Sequence, residues 1–193
     1  MYFCIMNMED IVRQTVSVLL RGGTILYPTD TIWGLGCDAR RADAVRRLYA
    51  IKERDPKKSM LVLCSESILD GGWRMANGGE RPTTYILPAV VWRRMFGEPL
   101  ADGLAADDGS LGVRLVRHDF CSRVIDALGA PLVSTSANLS GRPSPASYSE
   151  IEDDLKLRVD YCVPPLPCFE SHETRGSRIV KVSPSGEETV IRH

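Results

Sequence analysis

Three polar stretches of the sequence contain the side chains that could carry chemistry. The first, residues 27–36 (YPTDTIWGLG), places two threonines and an aspartate ahead of two glycines. Hydroxyls and backbone N–H groups in such a loop can bind a small polar ligand. The alternative is an Asx or Ser/Thr turn whose polar groups satisfy only one another. The sequence leaves both interpretations open.

The second stretch is basic, since residues 52–58 read KERDPKK. Side chains two residues apart project to the same side of an extended chain, so Lys52 and Arg54 would converge there. Fixed cations of this kind form charge-assisted hydrogen bonds with the oxygens of a triphosphate. The alternative is a solvated helix end, where cations complement the helix dipole.

The third stretch is rich in hydroxyls. Residues 134–144 (STSANLSGRPS) carry five hydroxyls and one side-chain amide, directly after an apolar segment. Neutral donors and acceptors at the end of a buried strand can hold phosphate oxygens or a ribose without adding charge. A solvated loop is the alternative, and the abrupt change from apolar to polar residues favours a ligand site.

Signatures of several other chemistries are absent from the sequence. It has no GxxxxGK[S/T], GxGxxG, GxSxG or HExxH motif. ATP, if bound, must therefore be held by another arrangement. The six cysteines, at positions 4, 37, 64, 121, 162 and 168, include no CxxC pair. This pattern indicates buried free thiols and no protein metal site.

The composition predicts one cytoplasmic domain. With 193 residues and an apolar share of 44%, the chain can bury one sizeable core, so residues 1–193 are expected to form a single domain. Lysine plus arginine (24) nearly balance aspartate plus glutamate (25), so any phosphate site must be local. The apolar start lacks the basic residues of a signal peptide, and no apolar run reaches the roughly 18 residues of a membrane helix. Reduced cysteines fit the same location.

Hydrophobic periodicity and turn residues predict the elements that position these stretches. Helices are predicted from a cap at Asn7 to a stop at Gly22-Gly23, and at 42–51, 119–128 and 149–157. Strands are predicted at 24–27, 60–64, 83–87, 111–116, 131–134, 161–163, 178–182 and 188–191. Loops are predicted at 28–36, 71–82 and 98–109. This irregular alternation predicts an α/β fold with one mixed sheet and helices packed on it.

Taken in order, the three stretches resemble those of the YrdC-type family of L-threonylcarbamoyl-AMP synthases. The resemblance also includes residues 82–87 (PTTYIL) and 112–114 (GVR), and it spans nearly the whole chain. It implies an α/β fold of the α+β type, with an open, twisted mixed β-sheet flanked by helices and a concave basic cleft. Two departures are Arg178, where relatives carry threonine or serine after the serine at 177, and Leu63, where some carry histidine.

The resemblance implies an activity and its reactants. ATP, L-threonine and bicarbonate would give threonylcarbamoyl-AMP and pyrophosphate, with Mg held mainly through the ATP phosphates. The product would supply N6-threonylcarbamoyladenosine (t6A) at position 37 of tRNA through a downstream tRNA threonylcarbamoyl transferase complex. One alternative is a non-catalytic YrdC-like protein that binds double-stranded RNA or tRNA, but such relatives lose the KxR and SxN elements that this chain keeps. A second, the related domain of hydrogenase maturation proteins, accompanies zinc-finger cysteines.

The resemblance also implies site residues by position. Those for the nucleotide are Lys52, Arg54, Lys58, Ser110, Ser136, Asn138, Ser144 and Arg192. Lys52 and Arg54 are the implied catalytic pair, which would neutralise the leaving pyrophosphate. Those for L-threonine are Thr31, Arg114, Ser134 and Ser177.

Two of these assignments have alternatives in the sequence. The planar fork of Arg114 suits a carboxylate, and its alternative is a surface ion pair with Asp119 or Glu98. Weak binding of tRNA or double-stranded RNA is a further expectation, and a solvated helix face explains the same residues equally well. Those residues are Arg40, Arg41, Arg46 and Arg47.

Overall fold

The computed structural model describes residues 7–69, 81–169 and 176–193. Its helices are α1 (Met8–Leu20), α2 (Ala42–Ile51), α3 (Ala89–Phe96), α4 (Asp119–Leu128) and α5 (Asp153–Arg158). Its strands are β1 (Ile25–Tyr27), β2 (Gly34–Gly36), β3 (Leu61–Cys64), β4 (Thr83–Leu87), β5 (Leu111–Leu115), β6 (Leu132–Ser136), β7 (Tyr161–Cys162), β8 (Arg178–Val182) and β9 (Glu188–Arg192). Among the described helices there is no candidate for a membrane span.

Helix α1 begins and ends where its sequence predicts. The side chain of Asn7 accepts a hydrogen bond from the backbone N–H of Asp10, which satisfies one of the free N–H groups of the first turn. Ile11 and Leu19 are fully buried on one side of the helix. Gly22 follows with a φ of 79°, a left-handed conformation that glycine adopts without strain.

The nine described strands form one mixed sheet in the order β7-β1-β2-β6-β3-β5-β4-β8-β9. The pairs β1–β7, β3–β5 and β4–β8 are parallel, and the other neighbours are antiparallel. The predicted mixed sheet with helices packed on it is therefore confirmed. Because β2 pairs with β6 and β6 with β3, the three polar stretches lie side by side.

The two faces of the sheet are covered to different extents. Helices α2 and α3 pack on one face, over residues such as Val62 and Val180. Helices α1 and α4 pack on the other, over Leu63 and Leu132. Side chains alternate along a strand, so Leu61 points to the same face as Leu63. Leu61, however, is only partly buried and lines an open cavity, so this end of the face is left open as a cleft.

Two elements differ from the prediction. The sequence predicts a loop over residues 28–36, but its last three residues form β2. A Cβ on Gly36 would overlap the carbonyl oxygen of Val133, so glycine, a weak strand former, is what lets this strand pair here. Helix α3 has no counterpart in the prediction because its valines and Trp92 are poor helix formers; burial of Trp92, Met95 and Phe96 stabilises it instead.

Other expectations are corrected in part. The predicted helix 149–157 is split into a 3₁₀ turn, Tyr148–Glu150, and α5. Predicted loop 98–109 has no helix or strand, whereas residues 71–80 of loop 71–82 lie outside the described residues.

The cysteines are only partly as expected. Those at 37, 64 and 121 are buried and the one at 162 is partly buried, but Cys168 is exposed. The expectation of buried thiols is therefore wrong for Cys168, because Phe169 takes the buried position of that short 3₁₀ turn. Cys4 lies outside the described residues.

Candidate active site

An open cleft at the uncovered end of the sheet collects most of the predicted binding residues. One of its cavities, of about 310 Å³, is lined by Thr31, Arg54, Arg114, Ser134, Ser136, Ser144, Ser177 and Arg192. An adjoining cavity of about 350 Å³ shares Arg54 and Ser134 and adds Ser110. Nine of the twelve predicted residues therefore face one cleft, although they come from segments far apart in the sequence.

The other three predicted residues lie beside this cleft. Lys52 is buried, and its Nζ donates to the carbonyl oxygens of Ser136 at 2.5 Å and Asn138 at 2.7 Å. The side chain of Lys58 is exposed, while its carbonyl oxygen accepts from Nε of Arg54 at 2.9 Å. Lys52 and Asn138 thus support the cleft from behind one of its loops, and Lys58 lies at the rim.

The register of the sheet builds the floor of the cleft. A row of neighbouring residues crosses five strands through the pairs Ser134–Leu61, Leu61–Gly112, Gly112–Ile86 and Ile86–Lys181. Gly112 deepens the floor, since a Cβ there would lie 3.2 Å from the Cβ of Leu61. An apolar floor bordered by hydroxyls and cations is the usual composition of a small-ligand site.

Arg114 is buried in this cleft and paired with Asp30. Its Nη2 lies 3.0 Å from Oδ1 of Asp30, and its Nη1 donates to Oγ1 of Thr31 at 3.3 Å. The alternative of a surface pair with Asp119 or Glu98 is wrong, because β5 directs Arg114 toward the loop that carries Asp30. Its Nε has no hydrogen-bond partner among the described residues, so part of the guanidinium is free to meet a ligand.

The loop ahead of β2 is both a turn and part of the site. Oγ1 of Thr29 accepts from the backbone N–H of Thr31 at 3.1 Å and donates to the carbonyl of Ile32 at 2.7 Å. The side chains of Thr31 and Asp30 also face Arg114. The stretch is therefore a turn, and Thr31 takes part in that turn while it lines the cleft; binding of a ligand there stays a prediction. Sequence reasoning gave Asp30 no separate role, because its partner is distant in the chain.

A β-bulge at the edge of the sheet directs Arg192 into the cleft. The register between β8 and β9 shifts between the pairs Ile179–Arg192 and Val180–Val190, which leaves Ile191 as the extra residue. Ile191 and Arg192 consequently both line the cleft although they are adjacent in sequence. Nothing in the sequence pattern signals such a bulge.

The segment ahead of β8 holds Arg192 in place. Nε and Nη2 of Arg192 donate to the carbonyl of Ser177 at 3.1 and 2.7 Å, and Oγ of Ser177 lies 2.7 Å from Oγ1 of Thr84. The guanidinium covers Gly176, where a Cβ would lie 2.9 Å from Nη2. Side chains alternate along β8, so the unusual Arg178 points away from the cleft and leaves Ser177 in it.

Several cations around the cleft are held by backbone carbonyls. Nε and Nη2 of Arg54 donate to the carbonyls of residues 58–59, each at 2.9 Å. Arg81, which lies outside the three polar stretches, donates to the carbonyl of Gly176 at 3.2 Å. A carbonyl satisfies an N–H group without neutralising the cation, so the charge stays available to an anion. Burial, and then two neighbouring arginines, lower the pKa of Arg192.

The fold and the cleft define an α/β protein suited to binding an anionic ligand next to a small carboxylate. A family model described as telomere recombination (Sua5, YciO and YrdC) matches residues 17–193. The chain therefore belongs to the Sua5/YciO/YrdC family, and the resemblance seen in the sequence is confirmed.

Known relatives agree in sequence and in fold. A curated threonylcarbamoyl-AMP synthase of Xanthomonas campestris is 38% identical over 157 residues, which are 75% of this chain and 80% of that protein. E. coli YciO superposes with a TM-score of 0.68 at 23% identity, over 97% of this chain and 90% of YciO. P. abyssi Sua5 complexed with L-threonine superposes with a TM-score of 0.74 at 21% identity, over 97% of this chain but 54% of the Sua5 chain. The structural matches establish the fold, and the predicted fold class is confirmed.

Proposed function

We propose that this chain is a threonylcarbamoyl-AMP synthase, which joins L-threonine, bicarbonate and ATP and releases pyrophosphate. The observation that carries the proposal is that nine of the twelve residues expected to bind these substrates line one cleft. The names of the curated relatives support an adenylate-forming enzyme over the non-catalytic RNA-binding alternative. The continuous sheet supports a single domain over residues 1–193.

L-Threonine occupies the deep end of the cleft in this proposal. Arg114 meets its carboxylate, since the guanidinium is buried and its Nε has no partner among the described residues. Thr31, Ser134 and Ser177 line the same cavity as that arginine, with hydroxyls that both donate and accept. A P. abyssi Sua5 structure contains L-threonine, which is the substrate assigned here.

ATP occupies the remainder of the cleft. Arg54 and Arg192 lie on its lining with their charges uncompensated by carboxylates in the described structure, and they would bind the phosphates. Lys58 joins them from the rim. The uncharged members of the nucleotide site are Ser110, Ser136, Asn138 and Ser144.

The reaction needs positioning and charge neutralisation, without a covalent enzyme intermediate. The threonine amine forms an N–C bond with bicarbonate, water leaves, and a carbamate results. A carbamate oxygen then bonds to the α-phosphorus of ATP, while the bond to the bridging oxygen breaks and pyrophosphate leaves with that electron pair. Arg54 stabilises the charge that develops on the leaving group, and Lys52 adds positive charge from behind the loop.

Magnesium is the cofactor that the nucleotide implies. Among the described residues, no group of three histidine, cysteine, aspartate or glutamate side chains is placed to hold a metal ion. Mg would be held mainly through the phosphates of bound ATP, where it would supply further charge neutralisation.

The proposed product serves t6A formation at position 37 of tRNA, in the cytoplasm, through a tRNA threonylcarbamoyl transferase complex. Direct RNA binding stays a prediction. Three of the arginines expected to provide it are already in ion pairs with carboxylates, namely Arg40 with Asp38, Arg41 with Asp43 and Arg47 with Asp160. Their charge is therefore partly compensated before any RNA approaches.

The test is pyrophosphate release by purified protein with ATP, Mg and bicarbonate, with and without L-threonine, and a product mass. Threonine-dependent release with the mass of threonylcarbamoyl-AMP is expected. Arg54→Met should lower kcat at least about a hundredfold, as removal of charge stabilisation does elsewhere. Arg13→Met, at an exposed position of α1, is the matched control and should keep wild-type turnover. Folded wild-type protein without threonine-dependent release would overturn the synthase.

A further inference from the structure

The ammonium group of Lys52 has no donor left for a phosphate. Its Nζ contacts three acceptors: the carbonyl of Ser136 at 2.5 Å, the carbonyl of Asn138 at 2.7 Å and Oδ1 of Asn138 at 3.4 Å. A lysine ammonium has three N–H groups, so the acceptors match the donors in number. The residue is also only 1% exposed. Lys52 therefore differs from a cation whose N–H groups are available to bind a ligand.

The backbone of Lys52 holds the same loop. Its carbonyl accepts from the backbone N–H of Ser140 at 3.0 Å, and its own N–H donates to the carbonyl of Leu48 as α2 ends. Side chain and backbone together tie residues 136–140 to the end of α2. These segments are more than 80 residues apart in sequence, and the contacts of Lys52 join them directly.

The tied loop carries two of the residues assigned to the nucleotide. Ser136 lines the cleft, and the amide of Asn138 donates to the carbonyl of Leu139 at 3.1 Å inside the loop. The loop backbone at 136 and 138 is turned toward Lys52, which leaves the Ser136 side chain directed to the cleft. A substitution of Lys52 would therefore affect nucleotide binding by displacing the loop.

We propose that Lys52 is a positioning residue, which orients the 136–140 loop for the nucleotide and does not bind a phosphate itself. The proposal deepens the proposed function and rests on it for its kinetic consequence alone. Phosphate contacts then belong to Arg54, Lys58 and Arg192. The positive charge of Lys52 still acts on the cleft through space, but its N–H groups donate to acceptors of the loop.

Hydrogen exchange of the ligand-free protein gives the first test. Lys52→Met keeps an apolar stem of similar length and removes the three donors, so the amides of Asn138 and Ser140 should exchange at least about tenfold faster. Lys57→Met is the matched control, because Lys57 is exposed and outside the cleft, and it should leave these amides unchanged. Unchanged exchange in Lys52→Met would overturn the proposal.

Binding of inorganic pyrophosphate gives the second test. A positioning role predicts that Lys52→Met raises KM for ATP and lowers kcat, while the Kd of pyrophosphate measured by calorimetry changes less than about threefold. A phosphate ligand would lose tenfold or more in that Kd, and this result would overturn the proposal. If Lys52→Met does not fold, hydrogen exchange of the wild-type protein is measured with and without pyrophosphate. Pyrophosphate should then leave the Ser140 amide as protected as before, whereas release of Lys52 toward phosphate would expose it.

The two proposals fail separately. The exchange measurement needs no substrate, so it tests Lys52 even if the protein makes no threonylcarbamoyl-AMP. The wild-type protein could lack threonine-dependent turnover while the exchange rates of wild type and Lys52→Met still differ. This result would overturn the proposed synthase activity and support the positioning role of Lys52.

Discussion

Arg114 and Asp30 form an ion pair inside the cleft, with Nη2 and Oδ1 3.0 Å apart and side chains 4% and 6% exposed. The carboxylate is fixed as well, since its other oxygen accepts from the backbone N–H of Arg117 at 3.3 Å. Asp30 therefore determines the direction of the Arg114 guanidinium. The N–H of Nε, which has no hydrogen-bond partner among the described residues, is the part of that guanidinium that can bind a substrate carboxylate.

Replacing Asp30 by asparagine should weaken binding of L-threonine. The substitution keeps the shape but removes the charge that orients Arg114, so KM for L-threonine should rise at least about tenfold while KM for ATP stays within about twofold. Steady-state kinetics with each substrate varied measures both. Asp119→Asn is the control, because its pair with Arg123 lies at the surface. A wild-type KM for L-threonine in Asp30→Asn would contradict this role.

Gly176→Ala should impair nucleotide binding without unfolding the protein. The new methyl group would lie 2.9 Å from Nη2 of Arg192, and a flexible side chain moves away more easily than backbone. KM for ATP should rise about three- to tenfold, with the melting temperature within about 2 °C of wild type. Gly129→Ala is the converse control: its φ of 64° makes alanine strained, but it caps α4 outside the cleft. That variant should lose stability and keep its KM for ATP.

The local sequence pattern alone predicts the bounds of elements whose stability depends on one amphipathic surface. Helix 42–51 and strands 83–87 and 178–182 are predicted to the residue, because apolar periodicity marks the helix and proline lies next to or near the ends of the strands. Strand β2 was missed because its residues, two of them glycine, acquire strand geometry only from β1 and β6 on either side. Propensity contains no information about such neighbours.

The candidate site shows the same division between features that the local sequence predicts and contacts that only the fold creates. Its polar stretches are visible in the sequence, since hydroxyls cluster after strand β6 and cations cluster after helix α2. The partners of those side chains are not visible: Asp30 meets Arg114 across 84 positions, and Arg81 reaches Gly176 across 95. A β-bulge that turns both Ile191 and Arg192 into the cleft also breaks the alternation that sequence reasoning assumes.

The stability difference between wild type and Lys52→Met should depend on pH. Burial, and then Arg54, lower the pKa of Lys52 from 10.5 to about 8 in the folded protein. Between these values the unfolded chain binds more protons than the folded one, so the contribution of Lys52 to the free energy of unfolding rises with pH. The full rise is on the order of 3 kcal/mol. It is complete above pH 10.5 and absent below about pH 8.

Urea unfolding of both proteins from pH 7.5 to 9.5 measures this difference. Titration of other groups affects both proteins alike and cancels in the comparison. Gly129→Ala serves as the control, because it changes no ionisable group and should differ from wild type by the same amount at every pH. A constant difference for Lys52→Met over this range would contradict a lowered pKa of Lys52.

Thiol reactivity should separate Cys168 from the cysteines of the core. Cys168 is exposed, whereas Cys37, Cys64 and Cys121 are buried and burial raises the pKa of each. The thiolate is the reactive species, so the three buried groups should react only after unfolding. Cys162 is partly buried and burial raises the pKa of its thiol, so it should react more slowly than Cys168. In a Cys4→Ser background, a colorimetric thiol reagent should therefore detect one fast-reacting thiol in the native protein. Adding Cys168→Ser should abolish that phase, and a fast phase that persists would show that a second thiol is accessible.

Gly36→Ala should be among the most destabilising single-methyl substitutions in the protein. A Cβ at this position would overlap the carbonyl oxygen of Val133 and lie 2.7 Å from Cε1 of Tyr27. Both neighbours are fully buried, so neither can move without disturbing the packing of β1, β2 and β6. The expected loss in the free energy of unfolding is about 3 kcal/mol, the upper end for overpacking. Gly129→Ala, where the added methyl group meets no atom within 4 Å, should lose only about 1 kcal/mol from backbone strain. Equal losses in the two variants, measured by urea unfolding at one pH, would show that β2 is not held as tightly as its contacts indicate.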